Sequence, residues 1–384
     1  MCRIPDRGGC RIAVATPDAA YEPEGIQGMA GETSDDGRQV KGIQAEALDA
    51  WFEANVTGAK PPLQFSLIAG GHSNLTYRVE DAAGHVFVLR RPPTGAVIAT
   101  AHDMAREHRI ISAVAGTDVP VPATLGLCED ASVNDAPFYV MEYVEGLVLT
   151  SPEQVEKHIE VESRARLGDD VVRVLAALHA LDPDAVGLGD LGRKEAYLER
   201  QLKRWRGQWD KTKTRELRAM DEVFDGLTRL MPAQIGAGIV HGDYRLGNML
   251  VSPGGEVKAV LDWELCTLGD PMADLGYIMN NWAEAGEVGA AGQAAATFPT
   301  VCGGFPSRKA FLDAYEAATG RDTSLIDYYR AFQYWRLAAI VEGVLARYLK
   351  GVMGNAANTD LFKNQVDSLA QSAVELLEQL ESRS

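Results

Sequence analysis

The pattern of apolar and polar positions divides the chain into two unlike parts. In the first part, short strand-like runs bounded by turn residues alternate with single amphipathic helices. The predicted elements, in order, are a helix at Ile43–Asn55, strands at Leu63–Ala69, Leu75–Glu80 and Val86–Arg91, a helix from Thr100 to about Ala115, and strands at Thr124–Cys128 and Phe138–Val144. The rest of the chain is mostly helical in spacing, so we expect a domain boundary near residues 145–151.

The second part is predicted to consist mainly of helices. Apolar residues at helical spacing indicate Ser163–Leu181, Arg193–Trp209, Thr214–Leu230, Pro271–Trp282, Lys309–Thr319, Ser324–Lys350 and Asn358–Glu381. Residues 1–40 are rich in Gly, Pro, Asp and Glu and show no periodicity, which is typical of a mobile tail. The expected organisation is therefore a tail at 1–40, a sheet-rich lobe at 41–145 and a helical lobe at 146–384.

Composition narrows the range of functions. A net charge of −17 argues against a nucleic-acid partner, because binding phosphate backbones needs a basic surface. No apolar run approaches the length of a membrane span, and no signal-peptide pattern opens the chain. Five scattered cysteines without a Cys-x-x-Cys fit the reducing cytoplasm, where we expect the protein to reside. Met29 is an alternative start, because the residues after it lead smoothly into the first helix.

One polar stretch beyond residue 239 carries the candidate chemistry. Asp243 is followed five positions later by Asn248, and Asp262 comes fourteen positions after that. Strand-like residues on both sides of Pro253-Gly254-Gly255 predict a hairpin between Asn248 and Asp262. A hairpin holds its open ends together, with neighbouring strands about 5 Å apart. We therefore expect Asn248 and Asp262 to meet.

Those three side chains fit phosphoryl transfer. A carboxylate and an amide oxygen side by side are hard ligands, suited to a Mg²⁺ ion that bridges phosphate oxygens. Asp243 would lie close enough to receive a proton from an attacking hydroxyl. Ordinary turns could also use these residue types, but their spacing agrees with the protein-kinase order of catalytic Asp, Asn and metal-binding Asp. Such a reaction needs mainly positioning and neutralisation of charge.

The motif His241-Gly242-Asp243-x4-Asn248, followed by Leu261-Asp262-Trp263-Glu264, resembles the aminoglycoside phosphotransferase and choline kinase branch of the protein-kinase-like superfamily. Segments 70–77, 88–93, 138–143 and 269–275 are more closely similar to phosphotransferase domains fused to, or encoded beside, acyl-CoA dehydrogenases. The resemblance covers about residues 43–350. It implies an α+β, bilobal protein-kinase-like fold, with a small N-terminal antiparallel sheet lobe and a larger, mainly helical C-terminal lobe.

The resemblance also implies a role for each matching residue. Asp243 would be the catalytic base, and Arg245 would touch the transferred phosphate. Asn248 and Asp262 would hold Mg²⁺. ATP would be bound by a Gly-rich loop, by an ion pair over its phosphates and by a hinge at the adenine. The residues expected to bind this cofactor are Gly71, Ser73, Asn74, Arg90, Glu107, Glu142 and Val144.

Several of these assignments have alternatives. Arg91 competes with Arg90 for the phosphates, and Arg90 with Glu107 could instead be a surface ion pair. His241 is expected to pack in its loop, since no second His lies at metal-ligand spacing. Asp274 is expected to support the catalytic loop. Gly242 and the Asp-Trp-Glu sequence depart from protein kinases, which argues against an activation-loop switch.

The leading hypothesis is an ATP- and Mg²⁺-dependent kinase acting on a hydroxyl of a small molecule. A nucleotide-binding pseudokinase and a metal-dependent hydrolase built on His241, Asp243 and Asp262 are the alternatives. The acceptor could be of the aminoglycoside or choline type, but the closer resemblance implies a hydroxyacyl-CoA and a functional link to an acyl-CoA dehydrogenase. The basic run at 200–218 is then either a solvated helix face or a site for CoA phosphates that includes Arg204 and Arg206.

Overall fold

The computed structural model describes residues 38–69, 74–94, 103–285, 287, 298–351 and 359–383. The helices are α1 (Ala45–Asn55), α2 (Met104–Val114), α3 (Ala131–Asn134), α4 (Pro152–His158), α5 (Val161–Ala180), α6 (Tyr197–Thr212), α7 (Arg218–Arg229), α8 (Met272–Asn280), α9 (Arg308–Thr319), α10 (Ile326–Leu349) and α11 (Thr359–Arg383). The strands are β1 (Gln64–Ala69), β2 (Leu75–Glu80), β3 (Val86–Arg91), β4 (Thr124–Cys128), β5 (Phe138–Glu142), β6 (Gly238–Val240), β7 (Met249–Val251), β8 (Val257–Val260) and β9 (Thr267–Gly269).

The first lobe is built on one antiparallel sheet with the strand order β1-β2-β3-β5-β4. Side chains alternate between its faces, as they do in any strand. Phe87 and Leu89 of β3 pack in a cluster with Phe52 of α1. Val88 and Arg90, between them in sequence, lie on the opposite face, toward the second lobe. The predicted sheet lobe is confirmed, and its alternation decides which side chains can reach a cleft.

Helix α2 packs against β4 and β5 of this sheet. It begins after Asp103, whose carboxylate accepts a hydrogen bond from the Arg106 backbone N–H at 2.9 Å. This is an ordinary N-cap, so the helix starts later than predicted; Thr100 itself lies outside the described residues. Ile110 and Ile111 are buried, as their helical spacing predicts. Glu107 is buried with them and is therefore held at a fixed place beside β3.

The second lobe is mainly helical. Its longest helices, α10 and α11, pack on each other, and α10 also contacts α6, α7 and α8. The apolar core of this lobe is continuous with the cleft face of the sheet, through Val88, Tyr139 and Met141. No helix among the described residues is long and apolar enough to cross a membrane.

Two pairs of short strands frame the polar stretch of the second lobe. The predicted hairpin is present as β7 and β8, with Met249 opposite Val260. A second antiparallel pair, β6 with β9, was not predicted. Each of its strands has three residues, which is too short for a periodic pattern to be recognised. Also not predicted was α4, which is capped by Ser151 and has Pro152 in its first turn.

Candidate active site

A buried carboxylate fixes the loop after β6 through hydrogen bonds to its backbone. Asp274, in the first turn of α8, accepts hydrogen bonds from the backbone N–H groups of His241 at 2.6 Å and Gly242 at 2.8 Å. Gly242 has φ +86°, and a Cβ there would lie 2.8 Å from the Leu265 carbonyl oxygen. Any other residue would therefore be strained and would clash. The expected support of this loop by Asp274 has a direct geometric basis.

His241 packs inside the loop. Its Nε2 lies 3.0 Å from the Leu261 carbonyl oxygen, and its Nδ1 lies 3.2 Å from the Asp243 backbone nitrogen. Both contacts fit a neutral ring that donates through Nε2 and accepts at Nδ1. Burial lowers the pKa of His241, in agreement with that neutral state. The ring ties the loop to the end of β8.

The three side chains singled out by spacing lie together. The Asn248 amide Nδ2 donates to the Asp243 carboxylate Oδ2 at 2.6 Å and to the Asp243 carbonyl oxygen at 2.9 Å. The Leu261 N–H donates to the Asn248 carbonyl oxygen at 2.9 Å, which extends the hairpin ladder by one bond. Asp262 follows immediately, with φ +66°. The hairpin therefore brings Asn248 next to the segment that carries Asp262, as expected.

The donor atoms of Asn248 and Asp262 fit a divalent cation. Asn248 Oδ1 and Asp262 Oδ2 are both buried, and neither has a hydrogen-bond partner among the described residues. Buried acceptors are normally satisfied, so each oxygen is suited to a ligand. Within the described ranges, no group of three or more His, Cys, Asp and Glu side chains could hold a metal ion. Mg²⁺ at this place would accordingly need oxygens from a bound nucleotide or from water as well, which is its usual coordination.

Arg90 connects the two lobes at this point. Its Nε lies 3.1 Å from Glu107 Oε2, and its Nη2 lies 2.7 Å from Asp262 Oδ1 and 3.9 Å from Glu264 Oε2. Arg90, Glu107 and Asp262 are each at least 96% buried. The pair of Arg90 and Glu107 is therefore internal, not the surface ion pair that was the alternative. One guanidinium fixes a carboxylate from α2 and a carboxylate from the end of β8.

The charged groups of this cluster shift one another's pKa values. Burial opposes the charged form of Arg90, but Glu107 and Asp262 raise its pKa well above the usual range. Burial raises the pKa of Asp262 to about 7, aided by repulsion from Glu107 and Asp243 and opposed by Arg90. Negative charge is thus concentrated around one arginine, and an added cation would relieve it.

Arg91 points away from the cluster. Its Nη1 donates to the carbonyl oxygens of Gly42 and, at 3.0 Å, Asn134, and its Nε donates to that of Pro92 at 3.1 Å. These groups lie on the α1 side of the sheet, because Arg91 alternates with Arg90 along β3. Of the two arginines, Arg90 alone faces the carboxylates of the second lobe.

A cleft between the lobes adjoins Arg90. Residues of both lobes line it. Its lining is mostly apolar, and the predicted hinge residues Glu142 and Val144 belong to it, as do Arg90, Glu107 and Asp262. The remaining lining residues include Ile68, Val88, Ile111, Met141, Leu250 and Val260. The cleft thus has an apolar wall from both lobes and a charged end.

Arg245 lies on the other side of Asp243. Its Nε is 3.4 Å from Asp243 Oδ1, and neither Nε nor Nη2 has a hydrogen-bond partner. Burial lowers its pKa and the Asp243 carboxylate raises it, with a net upward direction. A buried guanidinium with unused donors is suited to an anion such as a transferred phosphate. Contact of Arg245 with the transferred phosphate stays a prediction.

Sequence reasoning missed three residues at the site. Tyr277 contacts the Asp243 carboxylate; burial and that carboxylate raise its pKa. Arg336 of α10 donates to the Gly242 carbonyl oxygen at 3.2 Å. Glu264 accepts from Asn74 Nδ2 at 3.2 Å, which links the end of the Gly-rich loop to the segment after Asp262. Tyr277 could have been found, since it lies one helical turn after Asp274.

Two predicted nucleotide-binding residues of the Gly-rich loop, Gly71 and Ser73, lie outside the described residues.

Comparison with known proteins gives one consistent result. Residues 64–329 match the sequence profile described as the phosphotransferase enzyme family. The chain is 32% identical over 351 residues to mouse acyl-CoA dehydrogenase family member 10 and 34% identical over 355 residues to the probable acyl-CoA dehydrogenase IBR3 of Arabidopsis thaliana. These matches cover 88% and 86% of this chain but 31% and 42% of the relatives. The chain therefore spans less than half the length of these two proteins.

A solved structure agrees over nearly its whole length. A protein from Ralstonia eutropha JMP134, assigned as an aminoglycoside phosphotransferase, is 35% identical and superposes with a TM-score of 0.72. The match covers 87% of this chain and 98% of that protein. The bilobal kinase-like fold predicted from the motifs is thereby confirmed. On the profile match across most of its length and on this counterpart, the chain belongs to the phosphotransferase enzyme family.

Proposed function

We propose that the protein transfers the γ-phosphate of ATP, in a Mg²⁺-dependent reaction, to a hydroxyl group of a small molecule. The observation that carries the proposal is the pair of buried, unpartnered oxygens on Asn248 and Asp262, directly beside Asp243 at the charged end of an apolar cleft. An apolar cleft suits a nucleobase, and a charged end suits its phosphates.

Each residue has a defined part in this reaction. Glu142 and Val144 line the place for the adenine, and Glu107 orients Arg90 toward the phosphates. Asn248 and Asp262 would hold Mg²⁺, which supplies positive charge to the phosphate oxygens. Asp243 accepts the proton of the acceptor hydroxyl, while Asn248 Nδ2 holds its carboxylate in place.

Arg245 adds positive charge beside the transferred group, and its free Nε and Nη2 donors support that role. Gly71, Ser73 and Asn74 would cover the phosphates from the Gly-rich loop. Of these, Asn74 is described, and its contact with Glu264 supports a loop end close to the cluster. Arg90 rather than Arg91 is the arginine assigned to the nucleotide.

The acceptor is inferred from the relatives. Two proteins matched over most of this chain are named acyl-CoA dehydrogenases, so a hydroxyacyl-CoA is the acceptor we favour, with an acyl-CoA dehydrogenase as functional partner. An aminoglycoside-type or choline-type acceptor is the second candidate, and the naming of the Ralstonia protein favours the aminoglycoside type. A location in the cytoplasm stays a prediction from composition.

The decisive variant is Asp243→Ala, with Asp225→Ala on the exposed surface of α7 as the matched control. Removal of the base should lower the rate of phosphate transfer from labelled ATP by about a hundredfold or more. The rate is measured in two assays, one with a metabolite pool and one with a hydroxyacyl-CoA as acceptor. Binding of ATP, measured by calorimetry, should not change, and the control should behave as wild type. Equal turnover in both variants would refute the role of Asp243. A wild-type protein that binds ATP but transfers no phosphate would favour the pseudokinase hypothesis.

A further inference from the structure

The basic run at 200–218 separates into two kinds of residue once its contacts are known. Four of its eight cations are paired with carboxylates. Arg206 pairs with Asp210 at 3.1 Å and Asp221 at 2.6 Å. The other pairs are Lys213 with Glu216, Arg215 with Asp367 and Glu342, and Arg218 with Glu222. These contacts are structural and leave little charge for a ligand.

Arg204 differs from these residues. Its guanidinium carbon lies 5.1 Å from the centre of the Trp205 ring, and the side chain is exposed. Arg336, from α10, lies 5.4 Å from the centre of the same ring. Across the described ranges, neither arginine forms an ion pair with a carboxylate, although Arg336 donates to Gly242 and to Gln333 Oε1. We call these two residues the Arg204–Arg336 pair.

The two positive charges repel each other. Although the Arg204 side chain is exposed overall, partial burial of its guanidinium and the charge of Arg336 lower its pKa. Attraction to the face of Trp205 offsets part of this repulsion. Holding like charges near each other without counter-charge is unfavourable in a protein that otherwise has an excess of acidic residues. An anion that contacts both guanidinium groups would reduce the repulsion and form charge-assisted hydrogen bonds.

The pair lies beside the catalytic loop and outside the apolar cleft. Arg336 Nη1 is 3.2 Å from the carbonyl oxygen of Gly242, the residue before Asp243. The cleft lining includes neither arginine of the pair nor Trp205. A group held by Arg336 would thus lie close to the residue before Asp243 and outside the cleft that Glu142 and Val144 line.

A third arginine extends this positive surface. Arg200 lies one helical turn before Arg204, so both occupy the same face of α6. Its Nη1 is buried and has no hydrogen-bond partner, while its Nη2 donates to the Arg193 carbonyl oxygen at 2.6 Å. Arg200 thus adds a hydrogen-bond donor without a partner to the helix that carries Arg204.

We propose that the Arg204–Arg336 pair is an anion-binding subsite for the acceptor, which takes a carboxylate or phosphate group of the molecule whose hydroxyl meets Asp243. The inference rests on the proposed phosphotransfer and narrows its substrate class. Acceptors with a negatively charged group are selected, whereas polycationic aminoglycosides and choline are repelled by the pair. Arg206, which shares the basic run, takes no part.

The first experiment measures binding without turnover. Coenzyme A, a free hydroxy fatty acid and uncharged pantetheine are titrated by calorimetry into the full chain. We expect Arg204→Gln and Arg336→Gln to weaken binding of the anionic probes by about tenfold or more, with pantetheine unaffected. Lys203→Gln, an exposed cation next to Arg204, is the matched control and should bind as wild type.

Several outcomes would overturn the subsite. One is anion binding that is unchanged in Arg204→Gln and Arg336→Gln. Another is that the wild-type protein binds neither anion. A third is an equal loss of binding in Lys203→Gln, which would indicate a general electrostatic attraction by the positive surface. Coenzyme A and the hydroxy acid distinguish phosphate from carboxylate as the group recognised, and binding of either through the pair supports the inference. Because the side chain of Arg204 is exposed, its variant tests the inference even if Arg336→Gln folds poorly.

The second experiment separates this inference from the proposed function. Transfer to a hydroxyacyl-CoA and to the matching hydroxyacyl-pantetheine is compared in wild type and Arg204→Gln. A rise in KM of about tenfold for the CoA ester alone, with the KM for ATP unchanged, supports the subsite. Equal losses for both esters would overturn it. Anion binding through the pair in a wild-type protein that transfers no phosphate would leave the subsite standing and refute the phosphotransfer.

Discussion

Two arginine sites in this protein have opposite surroundings. Arg90 is buried, with Glu107, Asp262 and Glu264 all within 3.9 Å of its guanidinium. The Arg204–Arg336 pair touches an aromatic ring and a carbonyl oxygen, and no carboxylate of the described chain pairs with it. The first arginine has its partners within the protein. The second site has charge that the protein leaves uncompensated.

The difference shows what each kind of site can do. A cation enclosed by fixed carboxylates holds the two lobes in a fixed relative position. Because its charge is already compensated, it contributes little to the choice between ligands. Cations held apart from carboxylates gain most from a ligand that brings the missing charge. Residue type alone therefore does not indicate an anion site; the count of neighbouring acids does. Four substitutions test this contrast, in order of decreasing effect on stability.

The largest loss is expected for Arg90→Ala. It would leave Glu107 and Asp262 buried without a counter-charge, which costs about 3–5 kcal/mol of unfolding free energy. Denaturant unfolding of the purified variant measures this value. Adding Glu107→Gln to Arg90→Ala should restore part of the loss, because it removes one unpaired charge. A single variant as stable as wild type would mean that the cluster is not enclosed as described.

Arg91→Ala should have the next largest effect. It would leave the carbonyl oxygens of Gly42 and Asn134 without their donor, at a cost of about 1–3 kcal/mol. Thermal unfolding and the KM for ATP are the measurements. Since Arg91 points toward α1, the KM should stay constant while stability falls. A raised KM at full stability would instead assign Arg91 to the nucleotide.

Arg206→Gln tests a neutralised arginine of the basic run. It would break the partly exposed pairs with Asp210 and Asp221 and should cost about 1 kcal/mol or less. Added salt should reduce the difference from wild type, because salt screens such pairs. An effect on acceptor KM in this variant would contradict the separation of Arg206 from the anion subsite.

The smallest effect on stability is expected for Arg204→Gln. No carboxylate loses its partner, so the unfolding free energy should remain within about 0.5 kcal/mol of wild type. A slight gain would agree with relief of the repulsion from Arg336. A loss comparable to that of Arg91→Ala, measured under the same conditions, would show that Arg204 is a structural residue.

Much of the fold could be predicted from local patterns. The strands β1 to β5, the hairpin β7–β8 and the long helices α5, α10 and α11 lie close to their predicted places, because alternation and helical spacing repeat within each of them. The predicted start of α2 was about one helical turn too early, because an N-cap depends on a single side chain. Strands of three residues, such as β6 and β9, carry too few positions for any pattern.

The sequence by itself determined the chemical inventory of the site. Its spacing placed Asn248 and Asp262 at the two ends of one hairpin, a local constraint that the chain obeys wherever the hairpin lies. The alternation along β3 likewise required Arg90 and Arg91 to face opposite sides. It did not say which of them faces the cleft.

Tertiary structure decided the rest. Asn74 meets Glu264 across 190 positions, Arg90 meets Asp262 across 172, and Arg336 meets Gly242 across 94. Such contacts depend on how helices and the sheet pack, and no short-range pattern encodes them. The same packing gave Arg206 a second carboxylate, Asp221, in addition to Asp210 of its own helix, and it placed Arg336 near the ring that Arg204 contacts. The basic run thereby has one structural part and one part open to a ligand, because acids one helical turn away pair with some of its cations, whereas the packing of α10 places a second cation, Arg336, beside the ring that Arg204 contacts.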